Sequence, residues 1–188
     1  MYEDEHSEEE RLEDFSTDRL SVTHWAAQLG DDGDMSVLER GVAKLLTPKV
    51  LKFLPAELAL SEGEDAVSEW ITARDESASV YTVRLKADNR LIGLLILSER
   101  VEQTDDEDNA PDVFLMLGYL FADSEWKQGY ASELIAGALN GFDEFDMPCV
   151  RAGVASGNDA SARVLEKNGF ELNEALSSDD LQMYEINA

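Results

Sequence analysis

The sequence has few of the residues that mark secreted, metal-binding or membrane-spanning proteins. Its single cysteine, Cys149, allows no disulfide within the chain, which fits a reducing compartment. The two histidines, His6 and His24, lie far apart without a cysteine cluster, so we expect no metal site. The longest apolar run, residues 91–97, suits one buried strand. The chain starts M-Y-E-D-E-H, unlike a secretory signal, so we expect a cytoplasmic protein with no membrane segment.

Basic residues are also scarce. The chain has 15 Lys and Arg against 41 Asp and Glu, for a net charge of −26. Such a surface repels phosphate backbones, so we expect no direct nucleic-acid binding. Two interpretations of the charge stay open. It forms a solvated acidic coat that keeps the protein soluble, or it attracts a basic partner or basic peptide substrate.

The size and the apolar content of the chain fit one folded domain. The sequence has 188 residues, of which 44% are hydrophobic, enough for a sizeable core. Residues 1–15 are rich in Asp and Glu and poor in apolar side chains, which predicts a mobile tail or a frayed helix. We therefore predict an acidic tail at residues 1–15 and one domain at residues 16–188.

Apolar periodicity predicts a sheet with helices packed on it. Helices are expected at residues 35–46, 64–73, from about 128, and 159–168, and strands at residues 19–25, 80–85, 91–97, 113–121, 150–154 and 181–186. Residues 50–60 are apolar but irregular, and residues 102–112 are expected to form a loop. This order favours an α/β (α+β) fold whose central mixed sheet is mostly antiparallel, with parallel pairing near the later crossovers.

One stretch has the pattern of an anion-binding site. Residues 117–134 are predicted to form a strand, a short loop and a helix start, where unpaired N–H groups and the macrodipole favour a phosphate. Gly129 would let the anion approach the backbone, Ala131 keeps the next turn slim, and the Ser132 hydroxyl can add a donor. A tight turn without a ligand is the alternative interpretation of a single glycine at a helix start.

A second stretch makes the first more specific. Residues 158–170 begin with an N-cap, Asn158, and end in Asn-Gly, a helix stop. Together the two stretches resemble the GNAT superfamily, and more closely its RimJ/RimL-type branch of ribosomal-protein N-terminal acetyltransferases. That branch has a pattern like W-G-x-G-Y-A-T-E followed by N-x-x-S-x-R-V-L-E-K-x-G-F, and this chain has W-K-Q-G-Y-A-S-E and then N-D-A-S-A-R-V-L-E-K-N-G-F. With D-R-L at residues 18–20 and L-I-G at residues 91–93, the resemblance covers about residues 16–188.

The resemblance implies a GNAT fold that binds acetyl-CoA as co-substrate, without a metal. It implies pantetheine contacts along a strand that splays from its neighbour, a pyrophosphate cradle at the following helix start, and an asparagine that meets the pantetheine arm. A backbone N–H in the splayed strand would stabilise the oxyanion of the acetyl carbonyl. The implied cofactor-binding residues are Leu120, Phe121, Ala122, Lys127, Gln128, Gly129, Tyr130, Ala131, Ser132 and Asn158.

The chain departs from the family where the leaving thiolate is protonated. The tyrosine that many members use aligns with Leu165, which cannot donate a proton. In the RimJ/RimL-type branch the serine aligned with Ser161 is a candidate acid, and a hydroxyl that caps its own helix is the alternative. Glu174 is our candidate for the general base, with a surface charge as the alternative. Lys127 replaces a loop glycine and adds a charge near the phosphates, and Tyr184 is expected to pack in the core.

Three hypotheses about function follow. The first is an N-acetyltransferase in which a primary amine, such as the N-terminal amine of a ribosomal or other protein, attacks the thioester directly. The second is a non-catalytic acyl-CoA-binding sensor or interaction protein, because Leu165 replaces the usual acid. The third is an acidic decoy that captures basic proteins, which rests on the charge alone. A monomer and a homodimer fit equally well.

Overall fold

The computed structural model describes residues 12–29, 35–102, 112–142 and 149–187. In these ranges one eight-stranded sheet has the spatial order β1-β2-β3-β4-β5-β6-β8-β7. The strands are β1 (Phe15–Ser16), β2 (Leu20–His24), β3 (Ser79–Leu85), β4 (Leu91–Glu102), β5 (Asp112–Phe121), β6 (Cys149–Ala155), β7 (Glu171–Asn173) and β8 (Leu181–Asn187). All neighbours are antiparallel except β5 and β6, which are parallel. The predicted mixed, mostly antiparallel sheet is confirmed.

Helices cover both faces of this sheet. They are α1 (Ala26–Leu29), α2 (Met35–Leu45), α3 (Pro48–Leu51), α4 (Ala66–Asp75), α5 (Tyr130–Phe142) and α6 (Asp159–Lys167). One buried cluster joins α2, α3 and α4 to the sheet through residues such as Leu38, Val50 and Trp70. A second cluster lies on the opposite face and includes Leu134 of α5 and Leu165 of α6. None of the helices in the described ranges is long and apolar enough to cross a membrane.

The apolar and polar residues of the central strand β4 do not alternate, because both of its faces are covered. Leu94 packs in the cluster below α2, whereas its neighbour Leu95 packs in the cluster on the opposite face, and both are fully buried. Successive side chains of a strand point to opposite faces, so a strand covered on both faces needs an unbroken apolar run. The run at residues 91–97 therefore marks the middle of a three-layer domain.

The structure corrects the end of this strand. The sequence predicted a strand that ends at residue 97 and a loop at residues 102–112, whereas β4 continues to Glu102 and pairs there with Asp112 of β5. Residues 99–102 are exposed, so the sequence has no apolar periodicity there. They are held in the strand by pairing with β5, which is equally long on that side. Residues 103–111 of the predicted loop lie outside the described residues.

Other short elements were not predicted. The unassigned residues 50–60 contain the end of α3 and a 3₁₀ turn at Ala56–Leu58, and strands β1 and β7 are only two and three residues long. Val37 of α2 is apolar but 46% exposed. Within the predicted tail, Leu12 is buried and Phe15 belongs to β1, while residues 1–11 lie outside the described residues. The domain boundary at residue 16 stays a prediction.

Candidate functional site

The parallel strands β5 and β6 pair over a short distance and then separate. Their ladder consists of Leu115 with Val150 and Met116 with Arg151. Beyond these pairs, β5 continues through Phe121 along β4, and β6 continues through Ala155 along β8. The strands therefore leave a gap in the sheet toward their carboxyl ends. This β5–β6 gap corresponds to the splayed strand that the sequence comparison implied.

Backbone groups of β5 face the β5–β6 gap at alternate residues. Ala122 donates its N–H to the Ile92 carbonyl of β4 at 2.9 Å, so its amide points away from the gap. Because hydrogen-bonding direction alternates along an antiparallel pair, Leu120 also points to β4, whereas Tyr119 and Phe121 point to the gap. The Phe121 carbonyl accepts the indole N–H of Trp126 at 3.0 Å, but its amide is turned toward the gap. Among residues 120–122, Phe121 is the one whose N–H faces the gap.

Two hydroxyl groups meet across the gap. Tyr119 Oη of β5 lies 2.7 Å from Ser161 Oγ in the first turn of α6. The Ser161 amide bonds to the Asn158 side-chain oxygen, which caps this helix. Burial raises the pKa of Tyr119 and outweighs the opposite effect of its hydrogen bond with Ser161. The phenol is therefore protonated at neutral pH and can donate to the serine oxygen, which leaves the serine proton free to point elsewhere.

The loop between β5 and α5 has the backbone of an anion-binding turn. Lys127 has a φ of 64° and Gly129 a φ of 83°, and α5 begins directly after them at Tyr130. Residues 127–129 are exposed, and a Cβ on Gly129 would come near only Arg19, at 3.5 Å from one guanidinium nitrogen. The first amides of α5 have no acceptor one turn earlier in the helix. The turn is therefore open to solvent and carries donors.

A brace from the β1–β2 connection holds this loop. The Arg19 guanidinium donates to the Gln128 carbonyl at 3.0 Å and to the Glu133 carboxylate at 2.6 Å, and its carbon lies 4.4 Å from the Tyr130 ring centre. The same carboxylate accepts the hydroxyl of Thr17 and the backbone N–H of Arg19. Partial burial raises the pKa of Glu133, but these hydrogen bonds and the Arg19 charge outweigh it and lower the pKa below its ordinary value.

We expect Glu133→Gln to reduce the free energy of unfolding by about 1 kcal/mol at neutral pH, because a neutral amide replaces a charged acceptor beside a half-exposed arginine. The pKa of this carboxyl is lower in the folded state than its unfolded value of about 4.3. Its stabilisation is therefore complete above that value and is lost as the pH falls through the folded pKa. Urea unfolding of both proteins at neutral and at acidic pH measures this change.

Glu99→Gln is the matched control, because Glu99 is an exposed carboxylate of β4 and makes no hydrogen bond or ion pair in the described part of the chain. It should leave the unfolding free energy nearly unchanged at either pH. Equal losses in the two variants would contradict the role of Glu133 as the brace.

Contacts between helices connect the remaining site residues. The Asn168 side chain of α6 donates to Ser132 Oγ at 3.2 Å, so the Ser132 hydroxyl keeps its own proton to donate. Ala131 is half-buried against the same core. The Trp126 ring lies 4.9 Å from the Lys49 ammonium and contacts Phe53 edge-on at 6.1 Å. These contacts fix the two ends of the loop to α3 and α6.

The structure does not connect every candidate residue. Glu174 is exposed in the 3₁₀ turn Glu174–Leu176 after the edge strand β7, and no hydrogen bond or ion pair joins it to another candidate among the described residues. Leu165 is 1% exposed in the core. Tyr184 is buried as expected, and burial, the Glu166 carboxylate and Asp159 raise its pKa. No group of three possible metal ligands occurs in the described ranges.

Three residues of the candidate site were not identified from the sequence. Tyr119, Arg19 and Glu133 all lie inside or beside the quoted motifs, but their partners are 42 to 116 residues away. In the sequence, each of the three could have been noticed only as a polar side chain inside or beside a motif.

The chain has an α/β fold with a gap between β5 and β6 and an exposed turn directly before α5. The profile described as "Acetyltransferase (GNAT) domain" matches residues 37–171, well over half of the chain. The chain therefore belongs to the GNAT acetyltransferase family, whose enzymes use acetyl-CoA. No curated protein matches the chain significantly in sequence.

Solved structures share the fold at low identity. A GNAT-family acetyltransferase from Bacillus anthracis is 19% identical, with a TM-score of 0.62 over 93% of this chain and 98% of the other. An acetyltransferase from Agrobacterium tumefaciens is 16% identical, with a TM-score of 0.63 over 95% and 96%. RimL, a ribosomal-protein alpha-N-acetyltransferase in complex with coenzyme A, is 17% identical, with a TM-score of 0.60 over 91% and 95%. At these identities the likeness concerns the fold.

Proposed function

We propose that this protein transfers the acetyl group of acetyl-CoA to a primary amine by direct attack of the amine on the thioester. The observation that carries the proposal is the β5–β6 gap, which opens beside the exposed helix start of α5. An extended thioester can lie in that gap while its diphosphate lies on the first amides of the helix. Membership of the GNAT family supports the same chemistry.

The residues present fit acetyl-CoA as co-substrate. Gly129 leaves the turn open, the exposed Lys127 adds a positive charge, and the amides of Tyr130, Ala131 and Ser132 begin the helix. We assign the pyrophosphate to residues 127–132 and the pantetheine arm to Asn158 and residues 120–122. Asn158 uses its side-chain oxygen as a helix cap, so its NH₂ group remains to donate.

The chain's own groups can serve each step of the transfer. The Phe121 N–H faces the gap and is our candidate to stabilise the oxyanion when the amine nitrogen bonds to the acetyl carbon. As the carbon–sulfur bond breaks, the Ser161 hydroxyl is our candidate to give a proton to the thiolate. Tyr119 then replaces that proton on the serine oxygen, because the two oxygens lie 2.7 Å apart, and the phenolate takes up a proton from water when the products leave.

The attacking amine must lose a proton, and Glu174 is the proposed acceptor. Strand β7 runs parallel to β5 and β6, so the turn that carries Glu174 lies at the sheet edge where the gap opens. Two strand positions separate β7 from β6, so the carboxylate would act through water.

We propose a protein N-terminal amine as the acceptor, in a cytoplasmic setting. The motif pattern W-K-Q-G-Y-A-S-E supports this substrate, and so does the likeness in fold to RimL. The identity of 17% limits the likeness to the fold, so this substrate rests chiefly on the motifs.

Calorimetry with acetyl-CoA, followed by an assay of free thiol with a panel of amines, tests the proposal. We expect saturable binding and a thiol release that depends on a primary amine. No binding at millimolar acetyl-CoA would contradict the whole proposal.

An acyl-CoA-binding protein without turnover is the second candidate. It is favoured by Leu165, which aligns with the tyrosine that acts as the acid in many members of the family. Leu165 is 1% exposed and packs in the core. Tight binding of coenzyme A without transfer to any amine would support it over the enzyme.

A further inference from the structure

A cleft on the α2 side of the sheet has a charge opposite to that of the protein. It has a volume of about 380 Å³, within the range of small-ligand sites, and lies between α2 and the β3–β4 connection. Leu91 and Ala122 form part of its wall. Its charged lining residues within the described ranges are Arg40, Lys44, Arg84 and Arg90, and no Asp or Glu of those ranges lines it. These are four of only 15 basic residues in a chain with 41 acidic ones, so the cleft is a local positive site.

Three of these four positive charges have no carboxylate partner among the residues that the structure describes. Arg90 pairs with Asp88 at 3.3 Å and with Glu125. In contrast, Arg84 donates only to neutral acceptors, the Asn89 carbonyl and the Gln28 side-chain oxygen.

The two basic residues of α2 complete the set. Arg40 donates to the Ser36 hydroxyl at 3.0 Å, and Lys44 makes no hydrogen bond or ion pair within the described ranges. Arg84 is half-buried, and burial lowers its pKa because a desolvated cation is unfavourable. Arg40 and Lys44 are exposed, and none of these three cations pairs with a carboxylate of the described residues, so the cleft would attract an anion despite the net charge of −26.

The cleft adjoins the strand to which the thioester is assigned. Ala122 lines it and is the last of the proposed pantetheine contacts, and Ser124 follows in the next turn. A molecule bound in the cleft would therefore reach the end of β5 from the α2 side. This position suits a cleft that contacts the acetyl acceptor.

We propose that this cleft binds acidic side chains of a peptide whose N-terminal amine is the acetyl acceptor. The inference rests on the proposed function and deepens it, because it names the substrate class. It also opposes one of the two interpretations of the net charge of −26, the attraction of a basic peptide substrate. At physiological ionic strength charges interact over about 8 Å, so the nearby cations outweigh the distant carboxylates.

Calorimetry tests this with three peptides that share one N-terminal residue and carry acidic, neutral or basic residues at the next three positions. Each is titrated into the full chain saturated with coenzyme A, so binding is read without turnover. We expect the acidic peptide to bind at least about tenfold more tightly than the basic one, and the Arg40→Glu/Lys44→Glu variant to abolish this preference. The matched charge reversal Arg100→Glu, on the exposed distal part of β4, should leave it unchanged.

Equal binding of the three peptides would overturn the inference, and so would an unchanged preference in the double variant. A loss of acetyl-CoA affinity in that variant that disappears with acetyl-dephospho-CoA would also overturn it, because the cleft would then hold the cofactor's 3′-phosphate. The proposed function fails separately, when acetyl-CoA does not bind or no peptide is acetylated. Tight binding of the acidic peptide without transfer would support the cleft and contradict the enzyme.

Discussion

Gly129→Val should weaken acetyl-CoA binding by at least about 100-fold, because two charge-assisted hydrogen bonds, each worth about 1.5–3 kcal/mol, would be lost. The residue has a φ of 83°, which a β-branched side chain rarely adopts, and its exposed position is where a diphosphate would approach the backbone. The added side chain would fill the approach and turn the first amides of α5. Calorimetry with acetyl-CoA measures the loss directly.

Gly63→Val separates this effect from backbone strain. Gly63 also has a positive φ, of 132°, and a Cβ there would meet nothing within 4 Å. We expect it to lose about 1–2 kcal/mol of unfolding free energy, as Gly129→Val does, but to bind acetyl-CoA normally. If the two variants bind acetyl-CoA equally well, the turn at Gly129 does not hold the diphosphate.

Local patterns were sufficient for the long elements of this fold. In α6 the N-cap Asn158 and the stop at Gly169, with a φ of 89°, bound a helix at Asp159–Lys167, within one residue of the prediction. Strand β4 was visible because burial on both faces demands an apolar run. Where burial ends, at residues 98–102, the strand persists through pairing with β5, and the sequence carries no periodic signal for it.

The site was predictable only in part, for a related reason. The helix start at Gly129 was predictable from local sequence, because the glycine and the apolar pattern of the helix that follows it are adjacent in the chain. The brace between Arg19 and Glu133 joins residues 114 positions apart, and the hydroxyl pair of Tyr119 and Ser161 joins residues 42 apart. Such pairs depend on which strands become neighbours, and a single sequence does not specify register at that distance.

The distribution of charge over the surface could not be predicted from the composition of the chain. A net charge of −26 describes the average surface, yet the charged residues that line one cleft in the described part of the chain are all basic: Arg40, Lys44, Arg84 and Arg90. Screening confines each field to its neighbourhood. The proposed selection of an acidic acceptor therefore depends on the local arrangement of a few cations, which only the fold brings together.

Ser161→Ala should lower kcat by about 100-fold or more while leaving the Kd of acetyl-CoA unchanged, because general acid catalysis contributes about 10²–10⁴-fold and acts on the leaving thiolate only in the transition state. Tyr119→Phe should lower kcat less, by about tenfold, because it removes the group that orients and reprotonates Ser161 but not the acid itself. Steady-state rates at saturating acetyl-CoA, together with calorimetry, separate the loss of rate from the loss of binding.

The double variant Tyr119→Phe/Ser161→Ala decides whether the phenol acts through the serine. If it does, the double variant should be no slower than Ser161→Ala alone, since residues that act as one unit have non-additive effects. Tyr184→Phe is the matched control, because Tyr184 is a buried tyrosine of the same sheet whose neighbouring charges are Glu166 and Asp159, and it should keep kcat. Additive losses of kcat in the double variant would mean that the two hydroxyls act independently. A normal kcat in Ser161→Ala would mean that Ser161 has only a structural role in the first turn of α6.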